Sequence, residues 1–398
     1  MKLVISKHKF RFWLLLAMII WYAVPIVQEK GGMKLIAGLI LLWFFLCDFR
    51  HHRSANYLMI PYALMMCVLS VPLLVGKTYY GGVDGAYFVC SSLLLFFPIY
   101  LFNYYHGKMT HKESACVLRV FFLGLTYGAV NTCIVLEQYP MASRLMATSY
   151  GDVYSQMGAG GYGFAYVLML IFPLLLNLIS KAKIKGKIVF CGITVLFFLT
   201  LVKCEYTTCL LLALLGISIY IFYNSNKIVG VLLITFVGLI SLISGNLGNI
   251  FIWLANIFQD TEVIAVRLLD VANIFLEDSI DAMNSSRYTL YQRSLNGFLE
   301  CPIFGTIYSD KLISGGHSTI LDSMALYGLL GLMAVLAAFI VPIRRVMRTI
   351  KRNSTYRIVV MVFFVLSFLN PTIYIYQLGM VVFFIAPLML NTFQRRMK

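Results

Sequence analysis

The chain is 398 residues long, 61% hydrophobic and only 12% charged, with a mean hydropathy of +0.85. A soluble domain carries about 25% charged residues, so a globular core under a solvated surface is excluded, and so is intrinsic disorder. The formal charge of +16, from 32 basic and 16 acidic residues, suits either a nucleic-acid partner or the cytoplasmic loops of a membrane protein, and the positions of the charges must decide.

Apolar windows fall at residues 11–28, 34–48, 55–76, 84–105, 114–136, 158–180, 187–203, 205–223, 227–245, 318–342, 357–370 and 373–392. A helix needs roughly 20 apolar residues to cross the hydrocarbon, and helices satisfy every backbone group without water. A membrane β-barrel would show alternation, whereas these runs are continuous. The expectation is an all-α, polytopic membrane protein of about 12 spans. The first window has the basic head and apolar run of a signal peptide. With no small-x-small cleavage site after it, it reads as a retained helix.

Lysine and arginine set the orientation. With the N-terminus in the cytoplasm, 22 basic residues fall on cytoplasmic segments (Lys181, Lys183, Lys185 and Lys187; Arg344, Arg345 and Arg348; both termini) and nine on the outer side or its edge. That bias predicts both termini inside. The excess charge then reports topology and contact with anionic inner-leaflet lipids, not nucleic acid.

Residues 1–245 read as spans one to nine, 246–316 as one large outer loop and 317–398 as the last three spans. The loop is acidic, with eight acids against four bases. Gly248 to Phe258 is apolar but too short to span. Residues 263–283 suggest an amphipathic helix with Val263, Val266, Leu268/Leu269, Ile274 and Ile280 on its apolar face. Residues 288–300 form a second candidate helix, stopped by Pro302, with turns at Gly305, Gly315 and Gly316. No inverted repeat is visible, which weighs against a two-fold-symmetric transporter.

The nine cysteines mostly sit inside apolar runs, and none has zinc spacing. Arg119, inside the fifth window, and Glu137 at its outer end are charges at membrane depth, where function is the default hypothesis and snorkelling the alternative. The glycines of 151–163 suit close helix packing. The chemistry-bearing stretches are SSRYTLYQRSLNGFLECPIFG (285–305) and GGHSTILDSMALYGLLG (315–331). Arg287 and Arg293 are outer-side cations whose planar forks suit phosphate. His317, after two glycines, has an imidazole suited to general-base work on a sugar hydroxyl. Asp322, five residues on, can orient His317 only through water or a bend; its other reading is a first-turn acid that favours the helix dipole. Each of these residues also has an ordinary reading as a solvated or capping group.

An arginine, a helix, Pro-x-x-Gly (Pro302–Gly305), a histidine with a small polar residue (His317, Ser318) and Tyr-Gly-Leu-Leu-Gly (Tyr327–Gly331) together resemble the O-antigen ligase and repeat-unit polymerase (Wzy-type) superfamily. The resemblance covers about 45 residues. Elsewhere it rests on topology. It implies a metal-independent, cofactor-free inverting glycosyltransferase that moves a sugar chain from undecaprenyl diphosphate onto an acceptor hydroxyl at the outer face of a bacterial cytoplasmic membrane. It implies Arg287 and His317 as catalytic residues, and a chain-length regulator and a flippase as pathway partners. Two departures stand out: Ser318 follows the histidine where the family often has Asn, and Lys203-Cys204-Glu205 stands where the family commonly has Ser-Arg. Lys203 and Glu205 therefore join Arg293 and Asp322 as candidate substrate contacts. The alternatives are a ligase transferring finished polymer and, in a different class, a lipid-linked oligosaccharide flippase.

Overall fold

The computed structural model describes residues 7–46, 60–69, 85–146, 151–224, 247–259, 261–275, 286–308 and 313–396. Among the described residues the fold is all-helical, with no strand. The helices are α1 (Lys7–Ala23), α2 (Pro25–Phe45), α3 (Ile60–Leu69), α4 (Gly85–Tyr105), α5 (His111–Gln138), α6 (Ala142–Leu145), α7 (Gly151–Gln156), α8 (Tyr162–Lys181), α9 (Ile184–Lys203) and α10 (Thr207–Asn224). They continue with α11 (Leu247–Ile257), α12 (Glu262–Phe275), α13 (Ser286–Glu300), α14 (Thr319–Thr349) and α15 (Ser354–Leu369). The last, α16, starts at Gln377 and runs through a π-helical stretch (Met380–Ile385) to Arg396.

Six of the described helices are long and apolar enough to cross a membrane, or seven if the bent pair α1–α2 counts as one span. The chain is thus a membrane-embedded helical protein. The ninth predicted span (227–245) lies outside the described residues, and of the third (55–76) only α3 is described.

Two helices form the centre. α8 buries an unbroken run from Phe164 to Leu175, and α16 buries every residue from Leu378 to Ala386. A helix apolar all round is stable only where packing or lipid surrounds it; here it is protein. α9 is the opposite case, burying only Phe197, Thr200 and Leu201 and leaving Ile188, Val189, Val195 and Leu199 exposed.

The two ends of the bundle differ in charge. His8 of α1 hydrogen-bonds Glu113 near the start of α5 at 2.7 Å, and the end of α4 (Tyr105, His106) shares a small pocket with Asn391 and Thr392 of α16. This end carries Lys7, Lys9, Lys108 and Lys112, and Lys181 at the end of α8 belongs with it. α5 starts here with a capping box: Thr110 accepts from the Glu113 amide, and Glu113 accepts from the Thr110 amide. The opposite end holds the starts of α14 and α16 and the ends of α5 and α9.

Two boundaries differ from the sequence expectation. The chain was expected to turn between residues 28 and 34. The backbone does leave the helical region inside that window, at Gly32 (φ 56°, ψ −178°), but it also breaks earlier, at Val24, where α1 and α2 are bent by 120°, and Gln28 to Gly31 are already helical. Pro25 supplies no amide to α1 and forces Val24 into an extended conformation (φ −115°, ψ 108°). In the large loop, α11 and α12 pack on each other and on the bundle. α12 buries Ile264, Leu268 and Ala272, the first two in one cluster with Leu210 and Ala255. Val266 and Leu269, expected on the apolar face of a helix lying on the membrane or on the bundle, are exposed, so this part of the face does not pack on the bundle. The helix is apolar on more than one side, so periodicity alone did not choose the face. The predicted second half of that helix (276–283) lies outside the described residues.

Candidate functional site

The site is built where α13, the 301–318 segment and the start of α14 meet. α14 is not a continuous rod. At Gly328 its backbone leaves the helical region (φ 62°, ψ −156°). The amides that lose their helical acceptors find others: Leu329 N–H donates to the Pro302 carbonyl at 2.8 Å and Leu330 N–H to the Ile303 carbonyl at 3.4 Å. Orphaned backbone groups inside a membrane protein need such substitutes. The crossing is tight enough to require glycine on both sides. A Cβ on Gly305 (φ 75°) would lie 2.2 Å from the Leu326 carbonyl, and one on Gly328 would lie 2.4 Å from that of Ile303. The Pro-x-x-Gly and Tyr-Gly-Leu-Leu-Gly stretches are thus two halves of one joint. Thr306 fastens it further, donating to the Ala325 carbonyl at 3.0 Å.

Above this joint sits Asp322, fully buried. Its Oδ1 accepts from Ser294 Oγ at 2.6 Å, Ser314 Oγ at 3.1 Å and the Gly316 amide at 3.1 Å. Its Oδ2 accepts from the Ser318 amide at 2.8 Å. Ser294 in turn accepts from the Gly315 amide at 2.8 Å. Ser318 caps α14 by accepting from the Leu321 amide. One carboxylate therefore ties α13, the 314–318 loop and α14 together, and its four donors satisfy a charge that burial would otherwise make costly.

His317 lies between the two amides that Asp322 holds, and its side chain is exposed. Asp322 thus acts on the backbone either side of His317, a route that the sequence reading did not foresee. Arg293 is exposed on α13 beside buried Ser294 and makes no ion pair among the described residues. Arg287 lies in the first turn of α13, and its side chain is outside the described residues. The assembly is anchored to the α15–α16 connection. Tyr291 donates to the Leu369 carbonyl at 2.7 Å, and Thr319 Oγ1 accepts from the amides of Thr372 and Ile373.

Lys203 and Glu205 belong to a different assembly. Lys203, at the end of α9, pairs with Glu137 at the end of α5, and both side chains are largely exposed. The charge foreseen as a phosphate contact is therefore already partnered by a carboxylate 66 residues earlier. Glu205 is a left-handed turn residue (φ 57°), half-buried, next to Tyr206, which stacks on Tyr162 at 4.1 Å and donates to the Ser143 carbonyl. Burial pushes the neighbouring Cys204 thiol up to about 12, against a smaller opposite effect of its Ser143 hydrogen bond. No disulfide joins any two of the eight described cysteines.

Among the described residues no cluster of three or more His, Cys, Asp or Glu side chains is arranged to hold a metal ion. The residues that sequence reasoning missed are Ser294, Ser314 and Thr306. Ser294 carried no signal that set it apart from Ser286 and Thr289 on the same helix. A comparison with models of known protein families finds no match, and no curated protein matches the sequence.

Proposed function

We propose that this protein is a membrane glycosyltransferase that joins lipid-diphosphate-linked oligosaccharide repeat units into a bacterial surface polysaccharide. The observation that carries this reading is the Asp322 network, which fixes the loop bearing exposed His317 against the helix that bears Arg287 and Arg293. In the proposed step, the acceptor hydroxyl oxygen attacks the anomeric carbon of the donor from the face opposite the diphosphate. The carbon–oxygen bond to the diphosphate breaks, and its electron pair leaves with the phosphate. His317 takes the hydroxyl proton. The arginines stabilise the charge that develops on the leaving group. Asp322 is a positioning residue, acting through the backbone of the His317 loop. The reading places the site on the outer face of the cytoplasmic membrane, with both termini inside.

The test is a deletion strain analysed for polysaccharide chain length and complemented with variants. His317→Ala and Arg287→Ala, inserted at normal levels, should leave single-repeat chains, and Arg293→Ala should shorten the polymer. Long polymer from the His317→Ala strain would sink the catalytic assignment. Accumulation of long lipid-linked polymer in the deletion strain would identify a ligase.

The bends at Val24 and Gly328 favour a second reading, transport of a lipid-linked oligosaccharide, because transporters build their sites from broken helices. Against it, the break at Gly328 is filled by the protein's own Pro302 and Ile303 carbonyls, which leaves its freed amides no substrate to bind. Flipping of a fluorescent lipid-linked sugar in vesicles of the purified protein would decide for transport.

A further inference from the structure

A cavity of about 440 Å³ opens along the side of the bundle, away from the site above. Its floor is one face of α5, from His111 through Ala115, Leu118, Phe122 and Thr126, and α8, α9 and α16 close the sides. At 1.5 Å per residue this face is about 22 Å long. Its size falls within the range of about 300–1,000 Å³ typical of small-ligand sites. The walls are almost entirely apolar, and beside them Leu123, Ile188, Val189 and Val195 are exposed. In a membrane-embedded helical bundle such an opening faces lipid.

One wall residue does not suit that surrounding. Arg119 is an exposed cation roughly 12 Å along α5 from its first residue. It makes no ion pair among the described residues. A permanent charge at this depth is costly unless it meets an anion or reaches the interface. Glu113, six residues earlier on the same helix, is occupied by His8 and by the Thr110 cap. The mouth of the groove lies at the lysine-rich end, with Lys112 and Lys181 close in sequence to its lining residues. Such an end attracts anionic headgroups.

We propose that this groove holds one anionic phospholipid from the leaflet at the basic end of the bundle. Its phosphate lies against Arg119, and one acyl chain runs along Leu118, Phe122, Phe190 and Ile193. The guanidinium supplies the charge complement and the apolar walls supply the length, so neither a free phosphate nor a neutral lipid satisfies both. The site is independent of the proposed glycosyl transfer and stands or falls separately from it.

The test is native mass spectrometry of the full-length protein in a neutral detergent, titrated with phosphatidylglycerol or with phosphatidylcholine of the same chains. The wild type should bind a first phosphatidylglycerol roughly fivefold to tenfold more tightly, the worth of one cationic contact with an anionic lipid. Arg119→Gln should abolish that preference and leave phosphatidylcholine binding unchanged, while Arg119→Lys should keep most of it. Leu118→Trp, which fills the groove without touching the charge, should weaken both lipids. Circular dichroism of each variant checks that it is folded. A preference that survives Arg119→Gln overturns the proposal. So does displacement of phosphatidylglycerol by millimolar inorganic phosphate with Leu118→Trp silent, which would mark a phosphate site with no place for a chain.

Discussion

Replacing Asp322 with Asn probes the buried network directly, because it removes one charge and almost no volume. The amide has one accepting oxygen where the carboxylate has two. In the better orientation it faces Ser294, Ser314 and Gly316, and its NH2 group then confronts the Ser318 amide, donor against donor. Leaving one buried N–H without an acceptor costs about 1–3 kcal/mol, and weakening three charge-assisted bonds to neutral ones costs about 0.5–1 kcal/mol each. After relaxation the local cost should be about 3 kcal/mol, since such contributions are not additive. That corresponds to roughly 100-fold more frequent opening of the loop. Hydrogen exchange resolves this on peptides covering 313–321, where the Gly316 and Ser318 amides should exchange roughly 100-fold faster while α8 peptides stay unchanged. Ser294→Ala, which removes one donor and frees the Gly315 amide, should give a smaller acceleration at the same peptides. If Asp322→Asn changes exchange at 313–321 by less than threefold, the carboxylate is not what holds the loop. If it accelerates exchange but leaves polymer length untouched, the network is structural and the role given to His317 loses its support.

Three further outcomes follow from the geometry. Gly305→Ala and Gly328→Ala should each cost more than about 2 kcal/mol, combining left-handed strain with backbone overlap. Gly107→Ala, at φ 78° but with open space around it, should cost only about 1 kcal/mol; thermal unfolding in detergent compares the three. Cys204, protonated through neutral pH and buried, should resist maleimide at pH 7–8 in the folded protein, whereas half-buried Cys301 should label; mass spectrometry of single-cysteine variants reads this, and rapid labelling of Cys204 would refute its burial. Lys203→Gln should leave the thermal midpoint unchanged at physiological salt, because its partner Glu137 is exposed and screened. A large loss of polymer in that variant would restore Lys203 as a substrate contact.

Much of the helical framework was legible because membrane burial writes itself as continuous apolar runs. α4, α5, α8, α9 and α10 begin and end within a few residues of the expected windows. What escaped was every feature whose cause lies in a second segment. Gly328 reads locally as a small residue near the start of a span. It becomes a break only because carbonyls 25 and 26 residues earlier, those of Ile303 and Pro302, replace the acceptors that α14 gives up. Lys203 reads as an available cation until α5 brings Glu137 to it. Asp322 reads as a first-turn acid suited to the helix dipole, or as a distant orienter of His317, because five-residue spacing along one helix puts the two on different faces. The fold instead carries its oxygens to amides on both sides of the histidine. Local spacing therefore singled out one loop as chemistry-bearing, and tertiary hydrogen bonding determines which of its residues hold that loop and which face outward. This is the division of labour expected where a polar loop must be fixed at the end of an apolar bundle: the helices are specified by hydrophobicity alone, and the buried polar groups, which are costly when unsatisfied, specify the one arrangement that satisfies them.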